Sequence, residues 1–239
     1  VSDAGPAGRP PDGPEAWAMQ VVVHLPRPGS PEGDPPTRRA LLEAAATAVG
    51  RLVDAAYADD ADPAWATAIR RYEDGWIRKV VRRSRGINWR RVQDLPGIGV
   101  EHDGASVRAL LPGPVGDLPG EVRKLQVGGT EAADEPAADA PDAVDGDPPP
   151  PAALAVAVNP AVTMTAGKAA AQAGHAAQLA WHAMPSARRR EWAAAGCPVR
   201  LVPVTQEQWT AALDRSGVVV RDGGLTEVTP GTTTALAWW

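Results

Sequence analysis

The stretch TEAADEPAADAPDAVDGDPPPP, residues 130–151, constrains this chain more than any other. It mixes acid, alanine and proline, and carries too little apolar surface to offset the entropy of ordering it. A disordered linker of this kind divides the 239 residues into lobes over 16–129 and 152–239. It also distorts the charge. Residues 131–147 hold seven acids and no base, more than the whole net charge of −5, so the rest of the chain is net positive. Two further segments read as irregular: residues 1–15, and PRPGSPEGDPPT at 26–37 with its five prolines.

The C-terminal lobe parses cleanly. LAVAV (154–158) is a short continuous apolar run, expected for a strand covered on both faces. Thr165 is placed to cap a helix over 167–183, and SARRREWAAAG (186–196) reads as a second helix closed by Gly196. VRLVPV (199–204) is a strand that Pro203 makes irregular or an edge. A helix over 205–217 follows, then strands VVVRD (218–222) and TTTALAWW (232–239). The N-terminal lobe repeats the order, with strands at 19–25, 76–82, 98–102 and 106–113 and helices at 38–57, 63–75 and 87–97.

A residue-level match at an offset of 120 supports the repetition. NWRRVQDLPGIGVEHDG (88–104) lies over QWTAALDRSGVVVRDGG (208–224), with Trp89 on Trp209, Gly97 on Gly217, Val100 on Val220 and Gly104 on Gly224. The expected fold class is α/β: two similar three-layer α/β lobes, each with a four-stranded mixed sheet, related by a pseudo-twofold as in a fused homodimer. An internal duplication is the expected origin. The molecule is expected to be a monomer with pseudo-dimeric lobes, or a homodimer.

Several function classes are excluded. Cys197 is the lone cysteine, so no internal disulfide and no cysteine-rich metal site can form. No apolar run approaches the roughly 20 residues that span a bilayer. Residues 1–15 show neither a charged n-region nor an apolar h-region, so no secretory leader is expected and a reducing cytoplasm is the expected compartment. AGK at 166–168 invites a phosphate-loop reading, but Val162 and Ala169 stand where that motif needs glycine and a hydroxyl. No GxSxG, HExxH or GxGxxG is present. No cofactor and no metal are expected.

Two places can carry chemistry. On the helix AGKAAAQAGHAAQLAW (166–181), Lys168, Gln172 and His175 fall at i, i+4 and i+7 and share a face. Lys168 lies in the first turn, where the helix already favours an anion. Alone, such a face reads more readily as a solvated one than as a site. Asp222 ends a strand before Gly223 and Gly224 and could orient a water if the fold brings it near Lys168. Separately, residues 70–91 hold nine bases against Glu73 and Asp74, a concentration that attracts phosphates when it is not paired with acids elsewhere.

Together, GKAAAQAGHA and, some 50 residues later, VVVRDGGLTEVTPGTTTALA resemble the class II peptidyl-tRNA hydrolases, the archaeal and eukaryotic type. The first motif matches at Gly167, Lys168, Ala170, Ala171, Gln172, His175 and Ala176. The second matches at Asp222, Gly224, Thr226, Pro230, Gly231, Thr232, Thr234, Leu236 and Ala237, and coverage is 153–239. The resemblance implies cofactor-free hydrolysis of the ester between a peptide and the 3′ end of tRNA. In it Lys168 would stabilise phosphate or oxyanion charge, Asp222 would orient or activate water, and Gln172, His175 and Thr226 would support them. The tRNA backbone would then be held by Arg78, Lys79, Arg82, Arg83, Arg85, Arg90 and Arg91.

Departures from the family pattern open two alternatives. Asn159 and Ala161 stand where an Arg-x-Asp is usual, Pro203 where a lysine is common, Ala173 for a cysteine and Gly223 for an alanine. One alternative is a catalytically impaired module that binds tRNA or another RNA; the other is an interaction protein using the acidic linker. In the N-terminal lobe Arg39 and Glu43 fall near the places of Lys168 and Gln172, and His102 replaces Asp222. That lobe is expected to be non-catalytic.

Overall fold

A computed structural model describes residues 13, 15–134, 152–224 and 228–239. Thr226 and most of the expected linker therefore lie outside the described residues. The first lobe runs β1 (Trp17–His24), α1 (Arg38–Tyr57), α2 (Pro63–Glu73), β2 (Lys79–Ser84), α3 (Gly86–Val92), β3 (Gly97–His102), β4 (Ala105–Leu110), β5 (Gly113–Pro114) and α4 (Gly120–Arg123). The second runs β6 (Leu154–Val158), α5 (Ala166–Ala183), α6 (Ser186–Ala194), β7 (Val199–Leu201), α7 (Gln206–Leu213), β8 (Val218–Arg221) and β9 (Thr233–Trp238). Among the described residues no helix is long and apolar enough to cross a membrane.

Local chemistry sets the helix starts. The Thr37 hydroxyl accepts from Ala40 N–H at 3.2 Å, and the Thr165 hydroxyl from Lys168 N–H at 3.2 Å. Asp62 caps α2 with Pro63 in the first position, and Thr205 with Gln208 forms a reciprocal capping box on α7. The expected α2, α3, α6 and α7 are longer than those observed because each gives way to turn or bend residues before the glycine expected to close it (Gly75, Gly97, Gly196 and Gly217). β2 begins at Lys79 rather than at Trp76, since its pairing with β1 starts at Met19 opposite Lys79. The short β5 and α4 carry no strong sequence signal; Pro119 precedes α4 without a side-chain cap.

The two sheets have one plan. Strand order is β2-β1-β4-β3 in the first and β7-β6-β9-β8 in the second, with the leading pair parallel and the rest antiparallel; β5 adds to the free end of β1. The register agrees as well. Ala109 faces Val21 on one side and Ile98 on the other, while Ala237 faces Val156 and Val218. The offset of 120 read between 98 and 218 is thus a structural equivalence, and it sets His102 where the second lobe has Asp222.

Alternation along the strands builds the layers. In β1, Val21 and Val23 face the large core and Val22 faces the other side; in β9, Ala235 and Ala237 face in and Leu236 out. The outer face of the first sheet is covered by α3 and α4, and that of the second by α7. Between the inner faces lie α1 and α5, each touching its own sheet and the parallel strand of the other lobe. They run in the same direction side by side: Arg38 reaches Met164, Val49 meets Gly174, and Asp54 meets Trp181. Only small residues permit this. A Cβ at Gly50 would stand 2.8 Å from the Trp192 ring, and alanines fill most of the shared seam. One hydrophobic core therefore joins both lobes, with Ile69, Tyr72 and Trp192 of the flanking helices inserted into it.

Candidate active site

Asp222 leaves β8 just after an irregularity in pairing at Val220 and Arg221. Its backbone is held both ways: Asp222 N–H donates to Thr232 O at 2.9 Å, and Gly231 N–H donates to Asp222 O at 2.7 Å. Gly224 N–H closes a turn onto Asp222 Oδ1 at 2.8 Å. Glycine is required there, since φ is +75° and a Cβ would lie 2.2 Å from Pro230 Cγ. The Asp-x-Gly and the later Pro-Gly are thus two sides of one packed turn that fixes the carboxylate.

That carboxylate meets α5. Lys168 Nζ donates to Asp222 Oδ2, and Gln172 Nε2 donates to the same oxygen at 2.8 Å. Thr234 on β9 donates its hydroxyl to Gln172 Oε1 at 2.7 Å. The Lys168 and Asp222 side chains are 12% and 5% exposed, so the ion pair is largely out of water yet reachable at its lysine edge. Its place beside the first turns of α5 adds the favourable end of the helix dipole to the carboxylate. A carboxylate, an ammonium and an amide fixed on one point can orient a water, take up its proton, and stabilise charge on an adjacent carbonyl oxygen.

His175, expected on the same face, sits one turn further along. Its Nδ1 is 3.5 Å from Lys79 Nζ of the other lobe, and Asp222 is not among its hydrogen-bond partners. Burial, followed by the charges of Lys79 and Lys168, holds its pKa well below the ordinary histidine range. These causes all favour the neutral imidazole over the imidazolium.

The N-terminal lobe reaches this site through residues that composition assigned to a linker. Thr130 is buried, and its hydroxyl accepts from Gly167 N–H at 3.2 Å. A Cβ at Gly167 would fall 2.3 Å from that oxygen. Ala133 O accepts from Arg38 N–H at 2.7 Å, and the Arg38 guanidinium donates to Met164 O at 3.0 Å, in the loop before α5. Thr130 and Arg38 give no signal in sequence beyond their types, whereas Thr234 belongs to the second motif.

The basic residues do not form one patch. Lys79 is a correction to the expected set: it is buried, its ammonium donating to Gln178, so it cannot face a phosphate. Arg82 is half-buried and committed, donating from Nε to Gln20 Oε1 at 2.7 Å and from Nη1 to Leu125 O at 2.9 Å. Arg83 donates to the Gln126 side chain, and Arg78 is half-buried. Arg90 and Arg91 are exposed in the last turn of α3, with Arg85 partly exposed at its start.

The departures from the family pattern have local explanations. Asn159 donates to Thr233 O at 2.8 Å and accepts from Ala161 N–H at 2.9 Å, which stitches the end of β6 to β9. Ala161 and Pro203 are exposed, and Ala173 is fully buried in the helix seam.

In the other lobe the equivalent place holds Glu43, fully buried. Its carboxylate accepts from Leu201 N–H at 2.8 Å and pairs with His102 at 2.6 Å, Arg39 at 3.3 Å and Arg200 at 3.3 Å. Glu43, His102 and Asp103 offer ligand atoms within 4.8 Å of one another. The two guanidiniums already on Glu43 make that grouping a poor cation site.

No curated protein and no solved structure matches the chain. Residues 152–238, the part of the chain that holds Lys168, Gln172 and Asp222, match the family model described as Peptidyl-tRNA hydrolase PTH2, and the C-terminal lobe is similar to that family.

Proposed function

We propose that the C-terminal lobe hydrolyses the ester joining a peptide to the 3′ end of tRNA, releasing free tRNA and peptide. The observation that carries this is the meeting of Lys168, Gln172 and Asp222, which are brought together across 54 residues of chain. Water adds to the ester carbonyl while Asp222 takes its proton. Lys168 turns from the carboxylate to the developing oxyanion, and as the ester C–O bond breaks the 3′ oxygen leaves with the proton that Asp222 took from water. Gln172 keeps Asp222 in place, and Thr226 is a further supporting hydroxyl in this reading. The arginines of α3, with Arg83, hold the tRNA backbone. The N-terminal lobe is a degenerate, non-catalytic duplicate, and the protein works in translation in the cytoplasm without metal or cofactor.

Release of deacylated tRNA from peptidyl-tRNA by the pure protein, beside Lys168→Ala and Asp222→Ala, tests the activity. Turnover in the wild type with losses of about 10²-fold or more in each variant is the expected result. Equal background in all three would remove the hydrolase. The uncharged Asn159 and Ala161 at the exit of β6 favour one second reading, a module that binds tRNA without cleaving it. Tight tRNA binding with no turnover would select it.

A further inference from the structure

Lys79 opens β2 in the N-terminal lobe, but its side chain crosses to α5 of the other lobe. Its stem lies over Gly174, where a Cβ would meet Lys79 Cδ at 3.2 Å. The buried ammonium donates to Gln178 Oε1 and stands 3.5 Å from both Tyr72 Oη and His175 Nδ1, with the Tyr72 ring centroid 5.7 Å away. From α2 the groups that face it are Tyr72 and, through Gln178, Glu73, which accepts Gln178 Nε2 at 2.6 Å. From α5 they are His175 and Gln178, with Lys168 acting on His175 as well. Among the described residues no carboxylate is within ion-pair distance of Lys79. A methionine would fill this space without the cost of burying a charge, so packing alone does not account for a lysine.

An ammonium only donates. At this contact His175 Nδ1 must present its lone pair, and the ring proton then resides on Nε2. We infer that Lys79 is a positioning residue for His175 of α5: from the other lobe it holds the ring as the neutral Nε2–H tautomer, one turn beyond Lys168, Gln172 and Asp222. The link to catalysis rests on the hydrolase reading; the placement of the proton does not. Burial lowers Lys79 to about 7 against the opposing pull of Glu73, so its hold on His175 is firmest below neutrality.

Long-range proton–nitrogen correlation spectra of the full chain at pH 6 test the placement directly. The wild type is expected to show His175 neutral, with Nδ1 unprotonated and Nε2 protonated. In Lys79→Met the titration of His175 should move upward and the two tautomers should mix. An Nδ1–H tautomer in the wild type overturns the inference, even if the variant fails to fold. So does an unchanged His175 titration in a folded Lys79→Met. Hydrolysis by the same variant should lose kcat, by up to about a hundredfold, with KM unchanged. A wild type that shows the expected spectra but no turnover removes the hydrolase reading and leaves the Lys79–His175 placement standing.

Discussion

Gln172 donates its side-chain amide to Asp222 at 2.8 Å while its own carbonyl accepts the Thr234 hydroxyl at 2.7 Å. Asp222, as a carboxylate, only accepts, so the orientation of the amide is forced. The order Thr234, Gln172, Asp222, Lys168 is a line of groups drawn from β9, α5 and the end of β8. Gln172→Leu removes a donor from a buried carboxylate and should cost about 1–3 kcal/mol. Thr234→Val strands only one lone pair of the amide and should cost no more than about 1 kcal/mol. Thermal melts resolve the two, at roughly 2–4 °C per kcal/mol for a chain of this size. Gln172→Leu melting with the wild type would show that the amide does not hold the carboxylate.

Glu43 binds the lobes to each other through Leu201 N–H and Arg200, as well as holding Arg39 and His102 of its own lobe. Glu43→Gln keeps one acceptor and should cost about 1–3 kcal/mol; Glu43→Leu leaves the half-buried Leu201 N–H and the Arg200 and His102 side chains without their partner and should cost more, about 3–5 kcal/mol. Because one core joins the lobes, both variants should shift a single urea transition, seen alike by tryptophan fluorescence and circular dichroism. Two separate transitions in the wild type would contradict the shared core.

Repetition and pattern made most of this fold legible. Thr165 announced its helix, and the continuous apolar run LAVAV announced a strand covered on both faces. Lys168 and Asp222 could be joined only through the two motifs, since no spacing rule relates residues 54 apart. What the sequence concealed belongs to contacts between lobes. Lys79 looks like one base in a basic run; only the packing of β2 against Gly174 reveals that it is buried. Thr130 belongs by composition to an acidic low-complexity segment, yet its hydroxyl fills the space that Gly167 leaves at the head of α5.

The separation of the basic residues gives distinct expectations for RNA. Arg90 and Arg91 are free to reach phosphates, with Arg85 beside them, whereas Arg82 is tied to Gln20 and Leu125. In fluorescence anisotropy with labelled tRNA, replacing Arg85, Arg90 and Arg91 with glutamine should reduce the slope of log affinity against log salt by about 0.7–0.9 for each phosphate that is no longer neutralised. Arg82→Gln should leave the slope unchanged and lower the melting temperature. A slope that follows Arg82 and ignores the other three would place the RNA on a different face.

Glu73 contributes to the acid limb of stability. Burial alone would raise its carboxyl, but hydrogen bonds from His182, Tyr57 and Gln178 outweigh it, and the net pKa is below the ordinary 4.5. A carboxyl that is lower in the folded state binds fewer protons there than in the unfolded chain. Its contribution is therefore fully present above 4.5 and is lost as pH falls through the lower folded value. Urea titrations of the wild type and Glu73→Gln at several pH values should show a gap that is widest from about pH 6 upward and closes as the medium becomes more acidic than the carboxyl. The wild type should show the steeper acid loss. A gap of constant size from neutrality down to about pH 3 would mean that the hydrogen bonds from Tyr57, His182 and Gln178 do not favour the ionised form.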